Sequence, residues 1–221
     1  MCVRTKLDID DIREINNRFH AEFQEEIYPA KEYKGHDFPK TPIITSAEPH
    51  KIQLFEWGLI MPEEPAEPIP DKRHFGLNAR IENLQKRFAK IPDQRCLVLL
   101  NGYYEFQYLT KSGSRKQKYI LHLPNNELFA CAGMWSQWTD TRSGEIRHTF
   151  SIVTCRANEI VAPIHNASLD DPRMLVILNR QQESEWLNGA PLVPDMHIPL
   201  IGEKVDKWND VLPEANELRL F

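Results

Sequence analysis

The second residue of the chain is a cysteine, in the sequence Met1-Cys2-Val3-Arg4. If Met1 is removed, Cys2 carries an α-amine and a thiol on adjacent carbon atoms, and together they can trap an aldehyde. The amine condenses to an imine, and the thiol then closes a five-membered thiazolidine ring. Their ordinary pKa values, about 7.7–8.0 and about 8.5, leave both groups partly deprotonated near neutral pH. A cysteine at position two usually has no function, so this interpretation depends on the rest of the chain.

A series of short motifs follows this first one along the chain. They are Trp57-Gly58-Leu59-Ile60, Asn78-Ala79-Arg80-x-Glu82, Arg95-Cys96-Leu97, Gly102-Tyr103-Tyr104-Glu105-Phe106, Ala132-Gly133-Met134-Trp135, Thr149-Phe150-Ser151-Ile152-Val153-Thr154, Ala157-Asn158, Ile164-His165 and Trp186-Leu187. Each motif is weak alone. In this order and spacing, the set resembles the SOS response-associated peptidase (SRAP) family from residue 1 to about residue 187.

The resemblance implies a protein that senses abasic sites in single-stranded DNA. An abasic deoxyribose is in equilibrium with an open-chain aldehyde, which is the electrophile that a terminal aminothiol traps. The resemblance implies a stable thiazolidine crosslink to DNA through Cys2. It also implies a self-processing peptidase activity, in which Cys2 is again the nucleophile and the initiator peptide is removed.

The resemblance further implies a catalytic set of four residues, Cys2, Asn78, Glu105 and His165. Glu105 would relay protons during imine formation. His165, half-charged near its ordinary pKa of about 6.5, would protonate the sugar ring oxygen and so promote its opening. Asn78 would orient Cys2 and the open sugar.

Five further residues are implied as DNA contacts: Arg4, Trp57, Arg80, Thr154 and Arg173. Arg4 and Arg80 would hold phosphates through charge-assisted hydrogen bonds. Trp57 would offer a stacking face to a base beside the lesion. Without the family pattern, Trp57 would be a core aromatic and Arg80 would form a structural ion pair with a glutamate.

The chain departs from the family pattern in places that bear on DNA binding. Val3 replaces the usual glycine and stiffens the backbone beside the nucleophile. An apparent insertion after His165 carries Asp170 and Asp171 and displaces the Arg-Met pair that begins at Arg173. These aspartates, like the acidic loop over residues 62–70, would oppose a DNA strand.

Two other functions therefore stay open at this point. One is a cysteine hydrolase acting on other peptides, with Cys2 as nucleophile and His165 as base. The other is a non-catalytic DNA-binding relative that has drifted from the family.

Composition sets the broad class of the protein. The 221 residues are 41% hydrophobic and 27% charged, as in a globular domain. The net charge of −5 argues weakly against bulk nucleic-acid binding but leaves room for a local basic groove. Cys96, Cys131, Cys155 and Cys2 form no metal-binding spacing, so we expect reduced thiols and no metal or organic cofactor. No apolar run is long enough for a transmembrane helix, and no secretory signal is visible.

Hydrophobic periodicity and turn residues predict the elements. Helices are predicted over residues 8–28, 81–90, 157–164 and 181–187. Strands are predicted over residues 52–60, 95–106, 118–123, 128–135, 149–155 and 173–178. The proline-rich residues 30–51 are expected to be irregular, and residues 62–70 to form a surface loop.

Many short strands with few helices predict a single α+β domain, with curled antiparallel β-sheets forming a barrel-like core flanked by helices. We take residues 1–221 as one SRAP-like domain, with the motifs in about 1–187 and a C-terminal extension, 188–221, packing on it. We expect a cytoplasmic monomer, without membrane association, that joins the nucleoid when bound to damaged DNA.

Overall fold

A computed structural model of the protein describes residues 2–24, 31–65, 73–167 and 170–206. Its α-helices are α1 (Ile12–Phe19), α2 (Leu84–Arg87) and α3 (Arg180–Leu187). Its strands are β1 (Arg4–Lys6), β2 (Glu22–Phe23), β3 (Tyr33–Lys34), β4 (Lys40–Thr45), β5 (Glu48–Trp57), β6 (Asn78–Arg80), β7 (Arg95–Leu100), β8 (Gly102–Tyr108), β9 (Lys116–His122), β10 (Phe129–Thr139), β11 (Ile146–Arg156), β12 (Arg173–Leu175), β13 (Ile177–Leu178) and β14 (Ile201–Lys204).

Five strands close into a barrel. β5 pairs with β4, β4 with β7, β7 with β10 and β10 with β11, all antiparallel. A parallel pairing of β11 with β5 joins the two ends. Closure satisfies the backbone groups that an open sheet would leave at its edges. The interior is filled by fully buried apolar side chains such as Ile43, Val98 and Ile152.

A second sheet of five strands, in the order β14-β9-β8-β1-β3, carries the start of the chain. β7 belongs to the barrel and β8 to this second sheet, so the chain crosses from one to the other at Asn101. The Asn101 side chain donates to the Asp8 carbonyl at 2.6 Å and accepts from the Asp8 amide at 3.0 Å, which fixes the crossing point. The predicted single α+β domain with a barrel-like core is confirmed.

The first predicted helix is much shorter than expected. α1 begins after Asp11, whose carboxylate accepts from the Arg13 amide, and it ends at His20 in the left-handed conformation. β2 then continues the chain within the range predicted as helix, because Phe23 pairs with Ile52 on β5. Residues 25–28 of the prediction lie outside the described residues.

The prediction that residues 30–51 are irregular is wrong, because they include β3, β4 and the start of β5. Pro42 lies within β4 and pairs with Leu54 on β5. The pairing of β4 with β7 begins only at Ile43, so the missing amide of Pro42 removes no bond to β7. Proline content alone therefore misled the prediction.

The helix predicted over residues 157–164 is also wrong. The segment forms consecutive turns, in which the Asn158 side chain accepts from the amides of Ile160 and Val161 at 3.2 and 3.0 Å. Pro163 cannot donate the bond that a helix would need there. These turns end at His165, whose amide donates to the Val161 carbonyl at 2.8 Å.

The remaining predicted elements are found with changed bounds. The helix over 181–187 is confirmed as α3, and the helix over 81–90 shortens to a 3₁₀ turn at Ile81–Asn83 followed by α2. In the predicted extension, Ile198 and Leu200 are buried and β14 pairs with β9. Residues 207–221 lie outside the described residues. None of the described helices is both long and apolar enough to span a membrane.

Gly133 lies in β10 between β7 and β11, where a side chain has no room. A Cβ atom there would lie 2.7 Å from the Cys96 sulfur and 3.0 Å from a Val98 methyl carbon. We expect Gly133→Ala to lower the free energy of unfolding by about 1–3 kcal/mol through overpacking. Urea unfolding checks this, with Gln137→Ala on the exposed part of the same strand expected within about 0.5 kcal/mol of wild type. Equal losses in the two variants would contradict the packing of the barrel.

Candidate active site

The start of the chain is held from two sides. The Gly35 amide donates to the Val3 carbonyl at 2.8 Å, next to the pairing of β1 with β3. The Asn78 side-chain amide, at the start of β6, donates to the Cys2 carbonyl at 3.0 Å. The Cys2 residue is only 1% exposed, and its thiol points toward the Arg173 carbonyl at 3.9 Å. The nucleophile predicted from the sequence thus lies in a fixed and enclosed position.

Glu105 reaches the same place from β8. β1 pairs with β8 through Thr5 and Tyr103, and this register continued toward the N-terminus brings the chain start alongside Glu105. Glu105 is 4% exposed, and its Oε1 atom has no hydrogen-bond partner among the described residues. Burial disfavours the charged form and raises the pKa of the Glu105 carboxyl to about 7. The group is therefore both an acid and a base near neutral pH.

His165 is neutral in the folded protein, contrary to the half-charged state expected from its ordinary pKa. Burial lowers the pKa of the imidazole to about 4. The Arg173 amide donates to Nδ1 at 3.3 Å, so this nitrogen is an acceptor and the proton of the neutral ring lies on Nε2. Nε2 is 4.0 Å from the nearer Glu105 carboxylate oxygen. His165 therefore presents a neutral N–H donor to the site.

The three reactive side chains form one compact cluster. The Cys2 sulfur, a Glu105 oxygen and a His165 ring nitrogen all lie within 4.8 Å of one another. Burial and the nearby Glu105 carboxylate raise the pKa of the thiol well above its ordinary value. Cys2 consequently carries a protonated thiol, and such a thiol needs a neighbouring base to become a nucleophile.

Trp57 does not have the position that a base-stacking residue needs. The residue is fully buried and its ring stacks on Phe150 with centroids 6.3 Å apart, which contradicts the predicted contact with DNA. Its indole N–H donates to the Leu77 carbonyl at 2.8 Å. Because Leu77 precedes Asn78, Trp57 helps to hold the strand that supports Cys2.

Thr154 and Arg173 are also enclosed rather than facing a nucleic acid. Thr154 is 3% exposed and its hydroxyl lies 3.5 Å from the Ala79 carbonyl. Arg173 is 7% exposed and makes two 2.8 Å bonds to the Glu82 carboxylate, with a further bond to the Thr154 carbonyl at 2.9 Å. The DNA contacts predicted for both residues are therefore not available in this structure.

The two other predicted DNA contacts, Arg80 and Arg4, are each paired with a carboxylate. Arg80 is 2.6 Å from Asp171, in the segment with the apparent insertion, and its side chain is 56% exposed. Arg4 is 2.8 Å from Glu32. The guanidinium groups of both arginines therefore form ion pairs with the protein's own carboxylates, Asp171 and Glu32.

Tyr103 is a residue of the site that sequence reasoning missed. It is fully buried two residues before Glu105 on β8, so both side chains lie on the same face of the strand. Its hydroxyl has no hydrogen-bond partner in the part of the chain that the structure describes. Burial raises the pKa of this phenol well above its ordinary value, so it stays neutral. The period of two along Gly102–Tyr108 is the signal that would have found it.

A family model described as SOS response associated peptidase (SRAP) matches residues 1–208. The chain therefore belongs to the SRAP family. The abasic site processing protein YoqW of Bacillus subtilis is 32% identical over 156 residues, which cover 69% of this chain and 64% of YoqW. The abasic site processing protein HMCES of Gallus gallus is 32% identical over 158 residues, which cover 61% of this chain and 44% of HMCES. The aligned region thus spans less than two thirds of these relatives.

Solved structures share the fold. A protein from Bacteroides thetaiotaomicron superposes with a TM-score of 0.81 at 26% identity, covering 93% of this chain and 92% of that one. A protein from Bordetella bronchiseptica superposes with a TM-score of 0.73 at 19% identity, covering 93% of this chain and 100% of that one. The second likeness concerns the fold alone.

The shifted pKa of Glu105 predicts a pH-dependent stability. Its folded-state pKa, about 7, lies above the ordinary 4.5, so its contribution to stability is complete below pH 4.5 and is lost as the pH rises through 7. We expect Glu105→Gln, which mimics the protonated acid, to gain about 3 kcal/mol relative to wild type between about pH 4.5 and 8. Urea unfolding across this range measures the gain, with the exposed Glu127→Gln as control.

His165 acts in the opposite direction. Its folded-state pKa of about 4 lies below the ordinary 6.5, so its contribution to the free energy of unfolding is present above pH 6.5 and is lost as the pH falls through 4.

The outcome that would contradict the burial of Glu105 is a stability difference between Glu105→Gln and wild type that stays constant with pH.

Proposed function

We propose that the protein captures abasic sites in single-stranded DNA as a thiazolidine crosslink through Cys2, once Met1 has been removed. The observation that carries the proposal is the cluster in which Cys2, Glu105 and His165 place their reactive atoms within 4.8 Å of one another. The names of YoqW and HMCES, both abasic site processing proteins, agree with this chemistry. In this proposal the protein acts as a cytoplasmic monomer that joins the nucleoid on damaged DNA.

The first step is opening of the abasic sugar to its aldehyde. His165 is neutral, so it offers the ring oxygen of the sugar a hydrogen bond from its Nε2–H group. It does not act there as a charged imidazolium acid. The protonated fraction of Glu105, with a pKa of about 7, is the stronger acid of the two at neutral pH and supplies the proton. Glu105 thus takes over the acid role that the sequence assigned to His165.

Imine formation follows. The α-amine of Cys2 attacks the aldehyde carbon, the carbonyl oxygen takes up a proton, and the resulting hydroxyl leaves as water with a second proton. Glu105 lies beside the chain start and carries these protons between amine and oxygen. Asn78 uses its N–H group to hold the Cys2 carbonyl, and its Oδ1 atom has no partner among the described residues. That oxygen is suited to accept a hydroxyl of the open sugar.

Ring closure completes the crosslink. The Cys2 thiol adds to the imine carbon, a carbon–sulfur bond forms, and the thiol proton is transferred to the imine nitrogen. The buried thiol has a raised pKa, so it gives up this proton only to a base nearby, and the Glu105 carboxylate is that base. Enclosure of the product among buried side chains keeps water from the reverse reaction.

The same groups support release of Met1. The Cys2 thiol attacks the Met1 carbonyl carbon, the amide bond to the Cys2 nitrogen breaks, and water then hydrolyses the thioester to free methionine and the thiol. Glu105 receives the thiol proton and passes it to the leaving Cys2 nitrogen, while His165 donates a hydrogen bond to the carbonyl oxygen. Met1 itself lies outside the described residues.

A hydrolase that acts on added peptides is the alternative function for the same cluster. The names of YoqW and HMCES, both abasic site processing proteins, favour capture of abasic sites over turnover of peptides. A non-catalytic relative is disfavoured because Cys2, Asn78, Glu105 and His165 are all kept together.

The crosslink is tested with single-stranded DNA that carries one abasic site, using protein whose mass shows that Met1 is absent. We expect a heat-stable shifted band that Cys2→Ala abolishes and Glu105→Gln slows by about 10²–10⁴-fold, since it removes the proton relay. The matched control is Cys96→Ala, which removes another fully buried thiol and should react like wild type. No band at low salt with wild-type protein would refute the proposal.

Asp171 is expected to weaken DNA binding, because it occupies Arg80 at 2.6 Å and also lies 3.3 Å from Arg173. A phosphate must displace this carboxylate to reach Arg80. In a Cys2→Ala background, Asp171→Asn should bind the same DNA about 2–5-fold more tightly at low salt, the value of one exposed ion pair. Fluorescence anisotropy measures the affinity.

The matched control for that experiment is Asp195→Asn, an equal charge change at another exposed position. Equal affinities of the two variants would show that Asp171 does not compete with phosphate.

A further inference from the structure

We propose that Cys2, Glu105 and His165 also form a binding site for a thiophilic divalent cation, Zn²⁺ above all, and that the bound cation reversibly blocks the aminothiol. That the cation blocks the aminothiol rests on the proposed function. That the three side chains bind a cation does not depend on it. Thiolate, imidazole and carboxylate are the three groups that bind zinc in proteins, and a site with three protein ligands keeps a fourth position open.

The distances are within reach of coordination. Ligand atoms around tetrahedral Zn²⁺ are roughly 3.3–3.6 Å apart, from bond lengths of about 2.0–2.3 Å. The ligand atoms of the three side chains all lie within 4.8 Å of one another, and the His165 Nε2 atom is 4.0 Å from a Glu105 oxygen. A movement of about 1 Å by these side chains would complete the site.

A buried oxygen without a partner points independently to a missing ligand. Glu105 is 4% exposed, and its Oε1 atom has no hydrogen-bond partner among the described residues. Ionising this buried carboxyl together with the neighbouring Cys2 thiol is costly without a positive charge. A divalent cation would supply that charge and bind both groups in their anionic form.

The fourth ligand is the α-amine of Cys2 after removal of Met1. The amine nitrogen and the thiolate sulfur are on adjacent carbons, so together they close a five-membered chelate ring on the metal. Binding releases the thiol proton, and the proton of the ammonium form where present, to solvent. The complete set is then two nitrogens, one sulfur and one oxygen.

Coordination by His165 has a cost. The Nε2 lone pair becomes available only when the ring proton moves to Nδ1, which gives up the bond from the Arg173 amide. That bond is long, at 3.3 Å, and is therefore weak. A thiolate and an amine held by zinc cannot form an imine or a thiazolidine, so metal occupancy and crosslinking exclude each other.

Cobalt(II) serves as the spectroscopic probe for this site. Protein whose mass shows that Met1 is absent is titrated with CoCl₂, and then with ZnCl₂ in competition. We expect one equivalent of Co²⁺, a thiolate-to-cobalt charge-transfer band, the visible bands of tetrahedral cobalt, and displacement by Zn²⁺. Cys2→Ser should abolish the band. Glu105→Gln should weaken binding at least about 10–100-fold, since even outer-shell partners contribute that much.

Cys131→Ser, which removes another fully buried thiol, is the matched control and should keep the band. The fold of each variant is checked by its thermal melt. A Co²⁺ band that persists in Cys2→Ser, or no stoichiometric binding by folded wild-type protein, would overturn the inference.

A second measurement separates this inference from the proposed function. Zn²⁺ at saturating concentration should slow crosslinking to abasic DNA at least about 10-fold, and EDTA should restore the rate. Crosslinking without metal binding would refute the metal site alone. Metal binding without crosslinking would refute the proposed function and leave the cation site in place.

Discussion

The insertion of β1 between β3 and β8 is the constraint on which the site depends. The pairing of Thr5 with Tyr103 fixes the register, and that register brings the chain start alongside Glu105. Asn78 secures the same segment from β6, which pairs with β11 of the barrel. Residues next to a chain end are ordinarily mobile. Here the sheet holds Cys2 beside the Glu105 carboxyl and the His165 imidazole, so this residue is an ordered part of a buried site.

Burial then decides the protonation states, and these differ from what the residue types suggest. The pKa of the Glu105 carboxyl rises to about 7, whereas the pKa of the His165 imidazole falls to about 4. The ordinary order of the two pKa values is therefore inverted, and the glutamate is the group of the two that can both give and take up a proton at neutral pH. The imidazole serves as a neutral donor held in one tautomer by the Arg173 amide. The same enclosure keeps the Cys2 thiol protonated until a base acts on it.

The sequence predicts best what depends on residue type and local pattern. Strands β5 and β7 to β13 and helix α3 follow from hydrophobic period. Cys2, Asn78, Glu105 and His165 follow from motifs, and the structure brings them together. What it could not predict depends on distant partners. Trp57 is buried because it stacks on Phe150 and donates to the Leu77 carbonyl. Arg173 is held inward by its bonds to Glu82. All of these partners are distant along the chain. Strand β4 forms despite its proline because β7 pairs only beyond it.

In the proposed reaction, the amine and the thiol of Cys2 are consumed together inside this cluster. Peptide mapping of protein crosslinked to an abasic oligonucleotide, with the remaining thiols alkylated after unfolding, measures whether both groups have reacted. We expect an adduct on a terminal peptide that begins at Cys2, with its amine and thiol both blocked, while Cys96, Cys131 and Cys155 are alkylated. An adduct on a lysine or another cysteine, or one that leaves the Cys2 thiol free to react, would rule the reaction out.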